Sequence, residues 1–209
     1  MKIIKKLLVI FLILIITLFL GLYGIMYSIT RDNHKPYMNL IEKYSEQYDI
    51  DKNLVLAIVK TESSFNKKAK SSVGAEGLMQ IMPETAKWIA GKLKEEYRPE
   101  NIYDPELNIR YGTFYLNYLI NYFKSEDYAI IAYNAGMGNV KKWIRDGIFK
   151  ENDNYKNIPN DEPRNYIKKV KEQYRLNKKI YAVYYADLES GRAKRAFNTL
   201  ITLIKSIFK

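Results

Sequence analysis

Apolar residues fill the beginning of the chain almost without a break. Over residues 7–26 only one threonine and two glycines interrupt them, and a run of about 20 apolar residues is long enough to cross a bilayer as a helix. Lysines stand at positions 2, 5 and 6, and the residues after the run are larger than those at a typical signal-peptide cleavage site. The pattern predicts an uncleaved membrane anchor over residues 7–29, with residues 1–6 in the cytoplasm and the rest of the chain outside. A cleaved signal peptide is the alternative.

Beyond a short polar linker over residues 30–36, apolar positions recur at the three- and four-residue intervals of amphipathic helices. Capping residues and prolines that suit helix starts precede several of these segments, at Pro36, Asp51, Pro83 and Asp104, and a further helix is expected from about Glu126. Long alternations of apolar and polar residues, the pattern of strands, are not found. We therefore expect a mainly α-helical domain over residues 37–180, with little or no sheet.

Residues 181–209 have a different character. After Glu189 there is no acidic residue, and basic residues surround apolar ones at near-helical spacing. This is the pattern of a basic amphipathic helix, which can pack on a folded domain or lie against an anionic membrane surface. The sequence leaves both possibilities open.

Composition narrows the chemistry that is available. The chain has no cysteine and a single histidine, His34, so disulfides, thiolate chemistry and multi-histidine metal sites are excluded. The net charge of +11 favours an anionic partner. No zinc-finger, RNP or basic-zipper pattern accompanies that charge, and an anionic polymer or lipid headgroups explain it equally well, so we expect no nucleic-acid partner.

One carboxylate stands out among the predicted helices. Glu62 follows Ile58 by four residues and Val55 by seven, so it falls on the apolar face at the end of its helix. Desolvation and the negative end of the helix dipole both disfavour the anion there. A protonated carboxylic acid is what general-acid cleavage of a glycosidic bond requires. Taken alone, an exposed glutamate at a helix end would be the simpler interpretation.

Four segments of the chain carry a family pattern. The first contains Glu62-Ser63-Ser64-Phe65-Asn66, Ser71, Gly74-Ala75 and Gly77-Leu78-Met79-Gln80-Ile81-Met82-Pro83. The others lie within residues 104–116, 132–143 and 162–166. In this order and spacing they closely resemble the signatures of the soluble lytic transglycosylase family, lysozyme-like enzymes that cut the glycan strands of peptidoglycan. The resemblance covers about two-thirds of the chain; Lys67, Met137 and Pro163 depart from it at turn or helix-start positions.

The resemblance implies a lysozyme-like helical fold and cleavage of the β-1,4 bond between N-acetylmuramic acid and N-acetylglucosamine. In the family one glutamate, here Glu62, acts first as acid and then as base. The muramic C6 hydroxyl closes onto C1 to give a 1,6-anhydro end, so a second catalytic carboxylate is not required. The resemblance implies neither a metal nor an organic cofactor. The residues expected to line the cleft are Ser71, Gln80, Met82, Tyr133, Asn134 and Tyr166. Tyr133 on its own would be read as a core tyrosine, but its motif favours the cleft.

Glu162 allows two interpretations. It could be a second carboxylate at the substrate site, or a structural acceptor for Arg164 and nearby amides, which we favour. Two functional alternatives also remain: a hydrolysing muramidase like the related goose-type lysozymes, and a membrane-tethered glycan-binding scaffold without turnover. Product chemistry separates the first from a transglycosylase. An intact Glu62 disfavours the second, because a binding protein does not need a desolvated acid.

Overall fold

The computed structural model describes residues 2–29, 36–148, 155–184 and 192–207 of the 209-residue chain. Contacts divide the chain into two compact units. One comprises Pro36–Asn177, and the other combines Met1–Lys35 with Lys178–Lys209. The domain limits of 37–180 expected from the sequence remain a prediction, because contacts alone do not define what folds independently.

The described residues are mostly helical. In chain order the helices are α1 (Lys2–Ile29), α2 (Met38–Gln47), α3 (Lys52–Ser63), α4 (Pro83–Leu93), α5 (Pro105–Phe123), α6 (Glu126–Ala135), α7 (Met137–Arg145), α8 (Asp161–Tyr184) and α9 (Arg192–Ile207). No strand forms within these stretches, and only isolated bridges join Lys70 to Glu76 and Glu76 to Ile81. The prediction of a mainly α-helical fold with little or no sheet is confirmed.

Helix starts follow the capping residues. The side chain of Asp51 accepts a hydrogen bond from the Asn53 amide at 2.8 Å, and that of Asp104 accepts one from the Leu107 amide at 2.9 Å. Pro83 is the first residue of α4. The two carboxylates accept from backbone amides that have no partner within the helix, and proline has no amide hydrogen that needs one. The helix starts predicted at these three residues are confirmed.

Helix α3 lies at the centre of the larger unit. All six residues from Leu54 to Val59 are buried, so this helix is surrounded on every side and not only along one stripe. Helix α5 contacts α2, α4 and α6. Burial of a large aliphatic side chain stabilises a fold by about 1.5–3 kcal/mol. The core around α3 therefore holds the end of that helix, and with it Glu62, in a fixed position.

A long loop between α3 and α4 is held by one buried amide. Asn108, on α5, accepts a hydrogen bond from the Met79 amide at 2.7 Å and donates to the carbonyls of Glu76, at 3.0 Å, and Ile102, at 2.9 Å. Gly77 sits against it with φ of +80°, and an added Cβ would lie 2.2 Å from the Asn108 amide nitrogen. Only glycine fits there without displacing Asn108.

The smaller unit contains α1 and α9, which contact each other. Within the described residues, Lys6–Ile25 of α1 is the one stretch long and apolar enough to cross a membrane, with a mean hydropathy of 2.9. A signal sequence near an N-terminus has the same properties. The sequence left α9 either on the folded domain or on the membrane, and the structure adds a contact between α9 and α1. Residues 30–35, with His34, and 185–191 lie outside the described residues.

Candidate active site

Glu62 lies in the last turn of α3, one residue before the helix ends. The chain then reverses through two residues in the left-handed region, Ser64 with φ of +49° and Phe65 with φ of +66°. The Ser63 hydroxyl accepts a hydrogen bond from the Phe65 amide at 3.1 Å, which stabilises this turn. The Glu62 carboxyl group is thus displayed at a helix end whose backbone is fixed on both sides.

The partner of Glu62 comes from α8. The Tyr166 hydroxyl donates a hydrogen bond to Glu62 Oε1 at 2.6 Å, although the two residues are 104 positions apart. Tyr166 is buried, with 6% of its surface exposed. This short bond orients the carboxyl group.

The register between α3 and α8 explains why Glu62 and Tyr166 are in contact. Near the start of α3, Tyr174 donates to Asp51 at 2.8 Å and the Asn177 amide donates to the Asn53 carbonyl at 3.0 Å. These bonds set the two helices antiparallel. Glu62 lies nine residues after Asn53 on α3, about 14 Å away at the helical rise. Tyr166 lies a similar distance before Asn177 on α8, so the two side chains meet.

The environment raises the pKa of Glu62. Burial is the main cause and brings the pKa to about 7, the negative charge of Glu162 acts in the same direction, and the Tyr166 hydrogen bond opposes both. Desolvation disfavours the charged form, and a neighbouring anion adds to that effect. Near neutral pH the group therefore exists in both protonation states, which suits proton donation followed by proton uptake.

Tyr133 is a second tyrosine at the site, and its hydroxyl donates to the Met79 carbonyl at 2.9 Å. Burial raises the pKa of Tyr133 well above its usual value, and the charge of Glu62 adds to the effect. Burial likewise raises the pKa of Tyr166. Both phenols stay neutral at physiological pH. Tyr166 orients the acid, whereas Tyr133 ties the end of α6 to the loop before α4.

Next to Tyr133 an open groove of about 260 Å³ runs between the start of α4, helix α5 and the end of α6. Its lining consists of Gln80, Ile81, Met82, Thr85, Tyr115, Tyr133, Asn134, Ala135 and Gly136. Four residues expected at the cleft, Gln80, Met82, Tyr133 and Asn134, are thus together. The lining mixes hydroxyl, amide and aromatic groups, as is typical of sites that recognise small polar ligands.

Two of the expected cleft residues have structural hydrogen bonds. Gln80 has a φ of +47°, and its amide nitrogen donates to the carbonyls of Ala69 at 3.1 Å and Gly77 at 2.9 Å. The Gln80 amide nitrogen thus holds the loop together, and the other atoms of the side chain are the ones that line the groove. Ser71 is not part of the groove lining, and its hydroxyl accepts from the Ala75 amide at 2.9 Å.

Glu162 is exposed in the first turn of α8. The structural pairing with Arg164 that we favoured is wrong, because Arg164 donates to Asp161 instead. Residues three apart on a helix face each other, whereas residues two apart point to different sides. The charge of Glu162 nevertheless acts on Glu62, so the structure brings this second carboxylate close to the acid.

The sequence did not single out Tyr115 or Asn108 for the site. Tyr115 lines the groove with its ring centroid 5.7 Å from that of Tyr133, yet its helical spacing was indistinguishable from that of core residues. Asn108 was assigned to architecture without a role. A buried amide within an apolar helix face was the available signal, because such a group requires partners. No three His, Asp or Glu side chains cluster as metal ligands in the described parts of the chain.

A mainly helical fold with one desolvated glutamic acid beside an open groove defines a lysozyme-like protein. Comparison with protein families agrees with this assignment. Residues 39–156 match the model described as the Transglycosylase SLT domain, which is more than half of the 209-residue chain. The chain therefore belongs to the SLT transglycosylase family. The matched region ends before Glu162 and Tyr166, which the structure adds to the site.

Individual relatives agree with the family assignment. The chain is 40% identical to a soluble lytic murein transglycosylase of Salmonella typhimurium over 139 residues, 64% of this chain and 22% of that protein. It is 40% identical to a membrane-bound lytic murein transglycosylase C of Pectobacterium atrosepticum over 161 residues, 66% of this chain and 45% of that protein. The chain thus spans less than half the length of these curated relatives.

Solved structures share the fold. A 70-kDa soluble lytic transglycosylase in complex with bulgecin A superposes with a TM-score of 0.63 at 35% identity, over 72% of this chain and 24% of that one. An inactive Glu-to-Gln mutant of the lytic transglycosylase Slt from Pseudomonas aeruginosa superposes with a TM-score of 0.61 at 30% identity, over 69% and 24%. The prediction of a lysozyme-like fold is confirmed.

Proposed function

We propose that this protein is a peptidoglycan lytic transglycosylase that cleaves the β-1,4 bond between N-acetylmuramic acid and N-acetylglucosamine, leaving a 1,6-anhydromuramic end. The observation that carries the proposal is the Glu62–Tyr166 pair: a carboxyl group with its pKa raised to about 7, held at 2.6 Å by a neutral phenol. Its family and the names of its relatives support the same substrate.

In the first step protonated Glu62 donates its proton to the glycosidic oxygen as the bond from that oxygen to C1 of the muramic residue breaks. Positive charge develops at C1 and the ring oxygen. The carboxylate left behind is now an anion beside this charge and stabilises it. Tyr166 continues to donate to Glu62, so the acid keeps its orientation while its charge changes.

In the second step the Glu62 carboxylate takes the proton of the muramic C6 hydroxyl, and the C6 oxygen forms a bond to C1. The proton lost in the first step is thereby regained, and no water is consumed. The product is lighter by one water than the product of hydrolysis. Gln80, Met82, Tyr133 and Asn134 hold the sugars along the groove, with Ser71 on the loop beside it.

This route explains why one catalytic carboxylate suffices. Hydrolysing glycosidases pair the acid with a second carboxylate that attacks the sugar or activates water. Glu162 is the residue that would take that part, since it is near enough to raise the pKa of Glu62. Glu162 is exposed on the first turn of α8, which favours an effect through its charge on Glu62 over a direct role in catalysis.

Mass analysis of the sugars released from purified peptidoglycan tests the proposal. We expect products with 1,6-anhydro ends. Reducing ends in the majority would instead establish hydrolysis, with Glu162 as the first candidate for water activation. Binding of strands without any release would leave the protein as a glycan-binding scaffold.

We also propose that α1 anchors the protein in a bacterial membrane as a single span, with the catalytic unit on the extracytoplasmic side. The length and hydropathy of Lys6–Ile25 support a span, and several relatives are named membrane-bound. The lysines at positions 2 and 6 favour a cytoplasmic N-terminus. The basic helix α9 would provide a second contact with anionic headgroups.

A further inference from the structure

Aromatic side chains form a continuous row on α4 and α5 that the proposed mechanism does not use. Trp88 packs edge-on against Tyr118, with ring centroids 4.8 Å apart, and Tyr118 is stacked with Tyr122 at 6.4 Å. We call Trp88, Tyr118 and Tyr122 the aromatic strip. Edge-to-face and stacked contacts of this kind hold rings in defined orientations.

The strip is open to solvent. Trp88 is 36% exposed and Tyr122 is 44% exposed, both high for large aromatic residues of a helical core. A shallow depression of about 550 Å³ lies over Trp88 and is lined also by Glu84, Lys87, Gly91 and Lys92. Gly91 follows Trp88 by one helical turn, and a Cβ added there would meet no atom within 4 Å. Gly91 therefore has no side chain that could cover the indole.

The strip continues from the groove. Tyr115 lines the groove beside Tyr133, and its ring lies 6.0 Å from that of Trp88. From Tyr115 of the groove to Tyr122 of the strip, the aromatic residues of α5 cover about 10 Å at the helical rise. An elongated ligand that fills the groove can therefore pass over Tyr115 onto the strip without leaving the surface.

Positive charge accompanies the rings. The ammonium group of Lys92 lies 5.5 Å from the Trp88 ring centroid, and that of Lys141 lies 5.4 Å from the Tyr122 ring centroid. Lys87 lines the same depression as Trp88. Pyranose rings present apolar C–H faces that pack on aromatic rings, while muramic lactyl and peptide groups offer amides and carboxylates to lysines. Exposed apolar patches with a charged rim mark binding surfaces of this type.

We propose that the aromatic strip is an extension of the glycan site, holding sugar residues of the same strand beyond those at Glu62. The proposal rests on the proposed function for the identity of the polymer. Its occupant is a long peptidoglycan strand. The strip adds affinity for long strands and takes no part in bond cleavage, so it lowers KM for long substrates without changing kcat.

Substitutions at Trp88 and Gly91 test this in the full-length protein in detergent. Trp88→Ala removes the central ring. Gly91→Leu covers it, because a long helical side chain points back over the residue three positions earlier. Gly91→Ala is the matched control: it adds only a Cβ in open space and leaves the depression free. Cleavage is measured on long glycan strands and on oligosaccharides just long enough to fill the groove.

We expect Trp88→Ala and Gly91→Leu to lower kcat/KM on long strands roughly fivefold to tenfold through KM, with cleavage of short oligosaccharides and the Gly91→Ala control unchanged. Unchanged cleavage of long strands by Gly91→Leu would overturn the proposal, as would an equal loss on both substrates. Gly91→Leu keeps the indole packing, so it remains decisive even if Trp88→Ala unfolds.

A separate binding measurement distinguishes failure of this proposal from failure of the proposed function. Wild-type protein and Gly91→Leu are incubated with purified insoluble peptidoglycan, and the bound fraction is compared. If neither protein cleaves peptidoglycan but wild type binds it several times more tightly than Gly91→Leu, the proposal for the aromatic strip is supported and the proposed enzymatic function is wrong. Equal binding by both overturns the strip.

Discussion

At the scale of single residues, the proposed chemistry depends on one proton of Glu62. Glu62→Gln keeps the size and hydrogen-bonding shape of the side chain but cannot donate or take up that proton. We expect it to bind glycan strands and to lose at least ~100-fold in cleavage rate, the usual contribution of a general acid–base group. Release of soluble muropeptides measures the rate. Wild-type turnover by Glu62→Gln would remove this residue from the mechanism.

The same substitution carries a stability signature that controls for folding. The pKa of Glu62 is raised in the folded state from 4.5 to about 7, so its contribution favours the fold below pH 4.5 and is lost as the pH rises through about 7. Gln does not titrate, so the stability of Glu62→Gln does not fall in this way as the pH rises. Above about pH 8 Glu62→Gln should therefore be more stable than wild type, by up to roughly 3 kcal/mol. Denaturant unfolding on both sides of neutrality measures this, and a less stable variant at high pH would contradict it.

Two neighbours of Glu62 should move its pKa in opposite directions. Tyr166→Phe removes a hydrogen bond that lowers the pKa, and Glu162→Gln removes a charge that raises it. The alkaline limb of kcat/KM against pH, where the acid loses its proton, should shift to higher pH in the first variant and to lower pH in the second. Tyr166→Phe should also lose rate because its acid is no longer oriented. Shifts in the same direction would show that another group sets this limb.

At the scale of secondary-structure elements, Asn108 should control the groove through the loop before α4. Asn108→Ala leaves the Met79 amide and the carbonyls of Glu76 and Ile102 without their partner. Buried groups left unpaired cost about 1–3 kcal/mol each, so we expect a loss of several kcal/mol in unfolding free energy. Cleavage should also fall, because the Met79 carbonyl holds Tyr133. Asn121→Ala, an exposed amide on the same helix, is the control and should change stability little.

Local signals were enough to predict much of the helical architecture. Asp51, Pro83 and Asp104 start helices because caps and prolines act on the nearest amides, which a sequence displays directly. The position of Glu62 on an apolar face also followed from spacing. The burial of α3 on all sides did not, since periodicity within one helix does not reveal what packs on its other faces.

Contacts between distant segments were the part that sequence reasoning could not reach unaided. Glu62 and Tyr166 are 104 positions apart, and the register of α3 and α8 brings them together. Arg164 pairs with Asp161 and not with Glu162, because residues three apart on a helix are neighbours and residues two apart are not. The two acidic residue types alone do not show this difference. Tyr115 joins the groove because α5 turns that face toward α6, and an aromatic residue at core spacing gives no hint of this.

At the scale of the whole molecule, the proposed function requires the catalytic unit to face the cell wall. The lysines at the start of α1 and the span-length apolar run that follows them predict one membrane span with the N-terminus inside. Protease added to intact, wall-stripped cells should therefore digest the unit Pro36–Asn177 while a cytoplasmic marker survives. Membrane lysis before digestion gives the control for protease sensitivity. Complete protection in intact cells would reverse the topology, and a mature N-terminus near Thr30 would replace the anchor with a cleaved signal peptide.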